Sequence, residues 1–404
     1  MGVYEHLGVR TIINASGTLT RVGGSRMAPE VLAAMAEAAA SFVHLDELQE
    51  RAGEVVARVT GAEAGYVTTG ASAGLTLGIA ACVAGMDVAK MDRLPDVTGM
   101  KNEVVVQRGH RNSYDHAIRA VGVTFVEAGY LGYPGAGGTM PWQIDEVITE
   151  RTAAVACPIF DTPGTLSLPE VAELAHARGV PVIVDAAAEL PPRSNLRRFI
   201  AEGADLVTFS GGKAIGGPQS SGILAGRADL IASVALQHQD MDVRGVTWNR
   251  RSLIGSGVLG GVPHQGLGRS LKVGREEVIG LLTALERYVA GSDDEDALVW
   301  TKRLDIVAAV LGDVDGVVVT RQCRPGKPIP VLLLDLDEGR LGPTAYDVVN
   351  DLLEGSPPIA ITESHAELGR LSVNAMGLTD GEAEIVGRRL RETLTGKGVH
   401  RDAG

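Results

Sequence analysis

Seven short apolar runs punctuate the first two-thirds of this chain, and several of them do not alternate with polar residues. They are Gly65–Thr68, Glu103–Gln107, Val123–Glu127, Ala153–Ala156, Val180–Val184, Leu206–Phe209 and Ser221–Ala225. A strand covered on one face alternates apolar with polar, whereas a continuous run suits a strand covered on both faces. Helix-type segments separate the runs. The spacing therefore predicts an α/β protein with a mostly parallel sheet of about seven strands joined by crossover helices. In such sheets ligands bind outside the carboxyl ends of the strands, so the residues just after each run are the ones to read for chemistry.

The 404 residues are enough for more than one core. Residues 1–48 read as an N-terminal arm and helix, with Pro29 at the first position of the alanine-rich stretch Ala28–Val43. Residues 49–270 form the predicted large α/β domain. A connecting segment, 271–295, holds a long helix over Leu271–Tyr288 and then the acidic stretch Ser292–Asp296, read as solvated. Residues 296–404 form a smaller α+β domain. Its strands fall near Val317–Thr320, Val331–Asp335 and Leu371–Asn374, its helices near Thr344–Glu354 and Gly381–Leu394. The loop Asp87–Asn102 is long for its place, which marks it as functional or interface-forming.

Lys213 lies on a glycine-rich turn just after the Leu206–Phe209 run, and Asp185 closes the Val180–Val184 run. A lysine amine able to form a Schiff base, with an acid placed for a pyridinium nitrogen, is the minimum equipment for pyridoxal phosphate chemistry. Gly211-Gly-Lys213 invites confusion with a nucleotide-binding P-loop. That motif needs an earlier glycine, where Val207 stands, and a serine or threonine after the lysine, where Ala214 stands. No Gly-x-Gly-x-x-Gly opens a helix after a predicted strand, and Gly257–Gly268 reads as turns.

A phosphate site is better sought in Tyr66-Val-Thr-Thr-Gly-Ala-Ser-Ala-Gly74, where a strand gives way to glycine and then an apolar helix. Backbone amides of Gly70, Ala71 and Ser72 at the start of that helix can cup an anion. The competing reading is an ordinary cap by Ser72 or Thr69. Ser210, on the turn before Lys213, can add a hydroxyl to the phosphate. His110 follows another apolar strand and can lie flat against an aromatic ring, or simply be a hydrogen-bonded loop histidine. Ala187, two residues past Asp185, is small enough to pack under that ring. Arg21, Arg26, Arg111, Arg244 and Arg370 are candidates for a substrate carboxylate or phosphate, with Arg250 nearby, although each alone reads as a surface charge.

The formal charge of −13 leaves no broad cationic face for nucleic acid and argues against an anionic membrane as partner. Three scattered cysteines, Cys82, Cys157 and Cys323, fit a reduced cytoplasmic setting without disulfides. No metal-ligand spacing, signal pattern or bilayer-length apolar run is apparent, so neither a metal nor a membrane is expected.

Four motifs carry a resemblance: Ile13-Asn-Ala-Ser-Gly-Thr18, Thr60-Gly-Ala-Glu-Ala-Gly65, Val184-Asp-Ala-Ala-Ala188 and Phe209-Ser-Gly-Gly-Lys-Ala-Ile-Gly-Gly-Pro-Gln-Ser-Ser-Gly222. Together they resemble the selenocysteine synthase-like branch of fold-type I pyridoxal phosphate enzymes, and within it the ammonia-lyases of D-glucosaminate 6-phosphate. The resemblance is dense from about residue 5 to 270 and looser beyond. It implies pyridoxal 5'-phosphate as cofactor, Lys213 as Schiff-base lysine and Asp185 on the pyridine nitrogen. The phosphate falls to Gly70–Ser72 with Ser210. A homodimer or larger homo-oligomer is implied as well. The expected activity is deamination of a β-hydroxy α-amino acid, a 2-amino-2-deoxy sugar acid, with Lys213 as base and His110, His44 or protonated Lys213 as acid. Racemase, β-lyase and aldolase chemistry share the same equipment. Selenium transfer to seryl-tRNA lacks a basic surface to support it, and a regulatory cofactor-binding protein would not need both Lys213 and Asp185.

Overall fold

The computed structural model describes residues 2–131, 138–159, 162–323 and 326–396. In chain order its strands are β1 (Ile13–Ala15), β2 (Ala64–Thr68), β3 (Glu103–Gln107), β4 (Thr124–Ala128), β5 (Thr152–Pro158) and β6 (Val182–Asp185). They continue with β7 (Leu206–Ser210), β8 (Gly222–Gly226), β9 (Val317–Cys323), β10 (Pro330–Leu336), β11 (Ile359–His365) and β12 (Arg370–Asn374). The chain forms two units, residues 27–289 and residues 1–26 with 290–404.

The larger unit is built on one sheet in the order β2-β8-β7-β6-β5-β3-β4. Strands β3 to β7 pair in parallel, while β8 runs antiparallel to both β2 and β7. Every residue of β3 and β5 is buried. Neighbouring residues Ile183 and Val184 enter two different core clusters, one on each face of the sheet. That is why the run is continuously apolar: successive side chains point to opposite faces and both faces are covered. Each such aliphatic side chain contributes about 1.5–3 kcal/mol on burial.

The smaller unit holds a five-stranded sheet, β1-β11-β12-β10-β9, and the helices Asp293–Leu311, Ala345–Glu354 and Asp380–Leu394. This division differs from the expected boundaries at both ends. The first residues are not a free arm, because β1 pairs in parallel with β11, Ile13 opposite Ile359. The long helix, found at Arg275–Ala290, lies almost wholly within the larger unit. The acidic stretch opens a helix. Ser292 caps the helix Asp293–Leu311, and Asp293, Asp294, Glu295 and Asp296 fill its first turn, where carboxylates complement the helix dipole. Residues 397–404 of the expected small domain lie outside the described residues.

Candidate active site

The carboxyl edge of the seven-stranded sheet gathers most of the predicted chemistry. Asp185 ends β6 and sits in register with Thr208 of β7, so Ser210 ends β7 beside it. The chain then turns through a loop that folds back on itself before β8. Gly211 N–H donates to the Ser221 carbonyl (2.8 Å), Gly217 N–H to the Gly211 carbonyl (2.9 Å) and Gly216 N–H to the Lys213 carbonyl (3.0 Å). A side chain at Gly212 would put its Cβ 2.4 Å from Gln219 Cα, so only glycine lets the loop close this tightly. The result is a lysine on a rigid turn rather than on a mobile one.

Lys213 and Asp185 are electrostatically coupled. Burial pushes the Asp185 carboxyl above the ordinary carboxylate range, while the Ala187 amide and the Lys213 charge pull it back down. The Ala187 N–H donates to Asp185 Oδ1 at 3.0 Å, which fixes the carboxyl plane. Ala187 therefore has a task that sequence reasoning did not give it, beyond being small. A half-buried, partly desolvated acid held this way wants a cationic partner, and a protonated pyridine nitrogen is one.

The helix Ala71–Ala84 starts beside this edge. Its N-cap is Gly70 at φ +95°, a backbone conformation that favours glycine, and no side chain caps it. Thr69 is turned away, its hydroxyl donating to the Ser220 carbonyl at 3.3 Å. The cap reading thus fails, and the first-turn amides of Ala71 and Ser72 keep their anion-binding capacity. Two contacts dock this turn on the sheet. Thr208 Oγ1 donates toward the Ala71 carbonyl at 3.3 Å, and a Cβ at Gly222 would fall 2.5 Å from Gly70 C. These features fit the phosphate of pyridoxal 5'-phosphate, as the Lys213 and Asp185 pair fits its aldehyde and ring nitrogen.

His110 closes a short turn after β3 and is 3% exposed. Burial holds its imidazole below the usual histidine range, so the ring is neutral at neutral pH. Asn112, Tyr114 and Asp115, just beyond it, line a small crevice with Pro158 and Asp185. The turn after β3 is thereby brought beside the acid at the end of β6.

The arginines are mostly committed elsewhere. Arg111 donates to both Asp115 and Glu127 and stacks 4.6 Å from the Phe125 ring centroid. Arg21 pairs with Glu363 at 2.8 Å, Arg26 with Glu382 at 2.7 Å and Arg370 with Asp335 at 2.5 Å, all within the smaller unit. Arg244 is exposed and lines an open hollow of about 670 Å³ with Val246, Arg251 and Ile254. The cations that sequence reasoning missed are Arg269, Lys272 and Arg275, which share a cavity of about 1040 Å³ with His44, Tyr66 and His238. Their spacing, three residues apart directly after the glycine run, was the available signal. Tyr66 donates to His238 Nδ1 (2.9 Å) and His238 Nε2–H donates to the Leu271 carbonyl (2.9 Å), tying β2 to the segment that carries the cations.

Among the described residues no group of three side chains could hold a metal ion, and no helix is long and apolar enough to cross a membrane.

The family model described as SelA, L-seryl-tRNA selenium transferase, matches residues 162–244, the stretch that carries Asp185, Ser210 and Lys213. D-glucosaminate-6-phosphate ammonia lyase of Salmonella typhimurium (strain 14028s / SGSC 2262) is 35% identical over 398 residues, 96% of this chain and 97% of that protein. The 5'-C-glycyluridine monooxygenase-decarboxylase of a Streptomyces species is 33% identical over 401 residues, 98% of this chain and 92% of that one. A solved structure of D-glucosaminate-6-phosphate ammonia-lyase matches with a TM-score of 0.80 at 33% identity, covering 98% of each chain.

Proposed function

Because the chain belongs to the selenocysteine synthase-like branch of fold-type I pyridoxal phosphate enzymes, the family of the D-glucosaminate-6-phosphate ammonia-lyases, we propose that it is a pyridoxal phosphate-dependent ammonia-lyase acting on a 2-amino-2-deoxy sugar acid. The observation that carries this reading is Lys213 coupled to half-buried Asp185 at one sheet edge, beside an uncapped helix N-terminus. The cofactor, when bound, supplies an aldehyde for the substrate amine and an electron-withdrawing ring that acidifies the α-carbon proton.

The chain's residues do the rest. Asp185 holds the ring nitrogen protonated, and the Ala187 amide keeps the acid oriented for it. The amides of Ala71 and Ser72, with the Ser210 hydroxyl, hold the phosphate. His110, buried and neutral, offers a flat face to the ring and is a poor proton donor. Lys213 works twice: as base it takes the α-proton, and as acid it returns a proton to the departing β-hydroxyl. Elimination releases one water and hydrolysis of the enamine product consumes one, so the net products are a 2-keto-3-deoxy acid and ammonia.

Purified, cofactor-loaded protein incubated with 2-amino-2-deoxygluconate 6-phosphate is expected to release ammonia and keto acid in equal amounts. Oxygen uptake with loss of carbon dioxide would move the reading to the chemistry named in the Streptomyces relative. Exchange of the α-proton without ammonia would move it to a racemase. For the substrate phosphate, the cavity that holds Arg269, Lys272 and Arg275 offers Lys272 first, since Arg269 pairs with Asp240 and Arg275 with Glu276. Lys272→Ala is expected to raise KM for the phosphorylated substrate about tenfold, the scale of one charge-assisted hydrogen bond. Turnover of the unphosphorylated acid should change little, and an equal effect on both substrates would remove Lys272 from that role.

A further inference from the structure

The turn that carries His110 is flanked by two arginines that share one carboxylate, Glu127. Glu127 stands on β4, in register with Val106 of the parallel neighbour β3. Its Oε2 accepts from Arg108 Nε at 2.8 Å, and its Oε1 accepts from Arg111 Nη1. Those two arginines bracket His110, one two residues before it and one immediately after. Arg111 is further gripped by Asp115 and lies over Phe125, which shares a face of β4 with Glu127. On the far side, the Thr162 hydroxyl donates to the Gly109 carbonyl at 3.4 Å. The Asn112 side chain donates to the carbonyl of His110 itself at 3.1 Å. Gln107, 1% exposed, completes the support through two bonds to the Leu166 backbone, at 2.9 and 2.6 Å.

We propose that Glu127 is the positioning residue for His110: one carboxylate collects the arginines on both sides of the histidine and so sets the orientation its ring presents at the carboxyl end of β3. The inference rests on the reading above only in placing His110 against the cofactor. A surface ion pair by itself would be worth little. Here one acid accepts from two guanidiniums, a geometry that fixes a turn rather than merely adding charge.

The test compares loaded wild-type enzyme with E127Q, H110A and the double variant. Pyridoxal phosphate affinity, the visible circular-dichroism band of the bound cofactor and kcat are measured. E127Q is expected to weaken cofactor affinity about tenfold and alter the dichroic band, since small misplacements of a positioned group have effects of this order. In the H110A background the same substitution should add nothing, because it acts through the ring already removed. Wild-type affinity and an unchanged band in E127Q overturn the proposal, and so does full additivity with H110A. Should E127Q not fold, R111K, which keeps a cation but loses the fork geometry, carries the same expectations. A wild-type protein that binds no pyridoxal phosphate sinks the cofactor reading itself, whereas one that binds it normally with E127Q indistinguishable sinks only this inference.

Discussion

Replacing Lys213 with alanine is expected to lower turnover by about four to six orders of magnitude, the range seen when a group that carries the reaction is removed. Two tasks vanish together, covalent capture of the cofactor and proton transfer at the α-carbon, so the losses do not divide between KM and kcat. The turn itself should survive. Its shape comes from backbone bonds between Gly211, Ser221 and Gly217 and from the close approach of Gly212 to Gln219, none of which involves the lysine side chain.

That structural independence makes the prediction specific. The variant should still bind pyridoxal phosphate, more weakly, through the Gly70–Ser72 turn, Ser210 and Asp185. Borohydride should fix cofactor to the wild type at Lys213 and to nothing in the variant. A primary amine added in solution should restore a small part of the rate by standing in as base. Retention of a tenth of wild-type turnover by the purified variant would show that another group abstracts the proton, and the assignment of Lys213 would fail.

How far the residues alone reveal such a site depends on how local each signal is. β3 matches its predicted bounds, Glu103–Gln107, because burial on both faces leaves an unbroken apolar run flanked by polar residues. β1 gives no such signal. It is three residues long, and the partner that makes it a strand, β11, lies far along the chain. The acids after Ser292 read by charge as a solvated stretch, and a serine followed by four acids is also a helix start. Periodicity downstream, not charge, distinguishes the two.

The site residues divide in the same way. That Lys213, Asp185 and Gly70 lie at or just past strand ends was legible because glycine turns after apolar runs are local patterns. The arginines were not. Residue type says that a guanidinium seeks an anion, but not whether that anion is a substrate or Glu127 on the adjacent strand. Arg269, Lys272 and Arg275 were overlooked for the converse reason. Their convergence on a cavity is a tertiary fact, and in sequence they trail a glycine run that reads as turn.

Asp185 offers the sharpest separation of stability from activity. Its folded-state carboxyl is pushed up from the ordinary 3.8 by burial, against the opposing pull of the Ala187 amide and Lys213. A carboxyl whose pKa is higher folded than unfolded binds more protons in the native state across that window. Stability of the cofactor-free protein therefore falls as pH rises from the unfolded value through the folded one, and the burden stays in full above it. Asp185→Asn removes the charge and keeps an oxygen for the Ala187 N–H. The cofactor-free variant should melt higher than wild type at neutral pH, with the difference vanishing below about pH 3, where the ordinary carboxyl is protonated in both states. Activity should move the other way. Without an ionised partner the ring nitrogen is not held protonated, and turnover is expected to fall about 10²–10⁴-fold, the scale of a lost electrostatic and proton-holding group. Scanning calorimetry of cofactor-free protein at pH 3 and pH 7, beside ammonia release by loaded protein, measures both halves. A variant less stable than wild type at neutral pH would mean that Asp185 is already paired in the cofactor-free state. Its pairing with the cofactor would then contribute only the difference between the two partners.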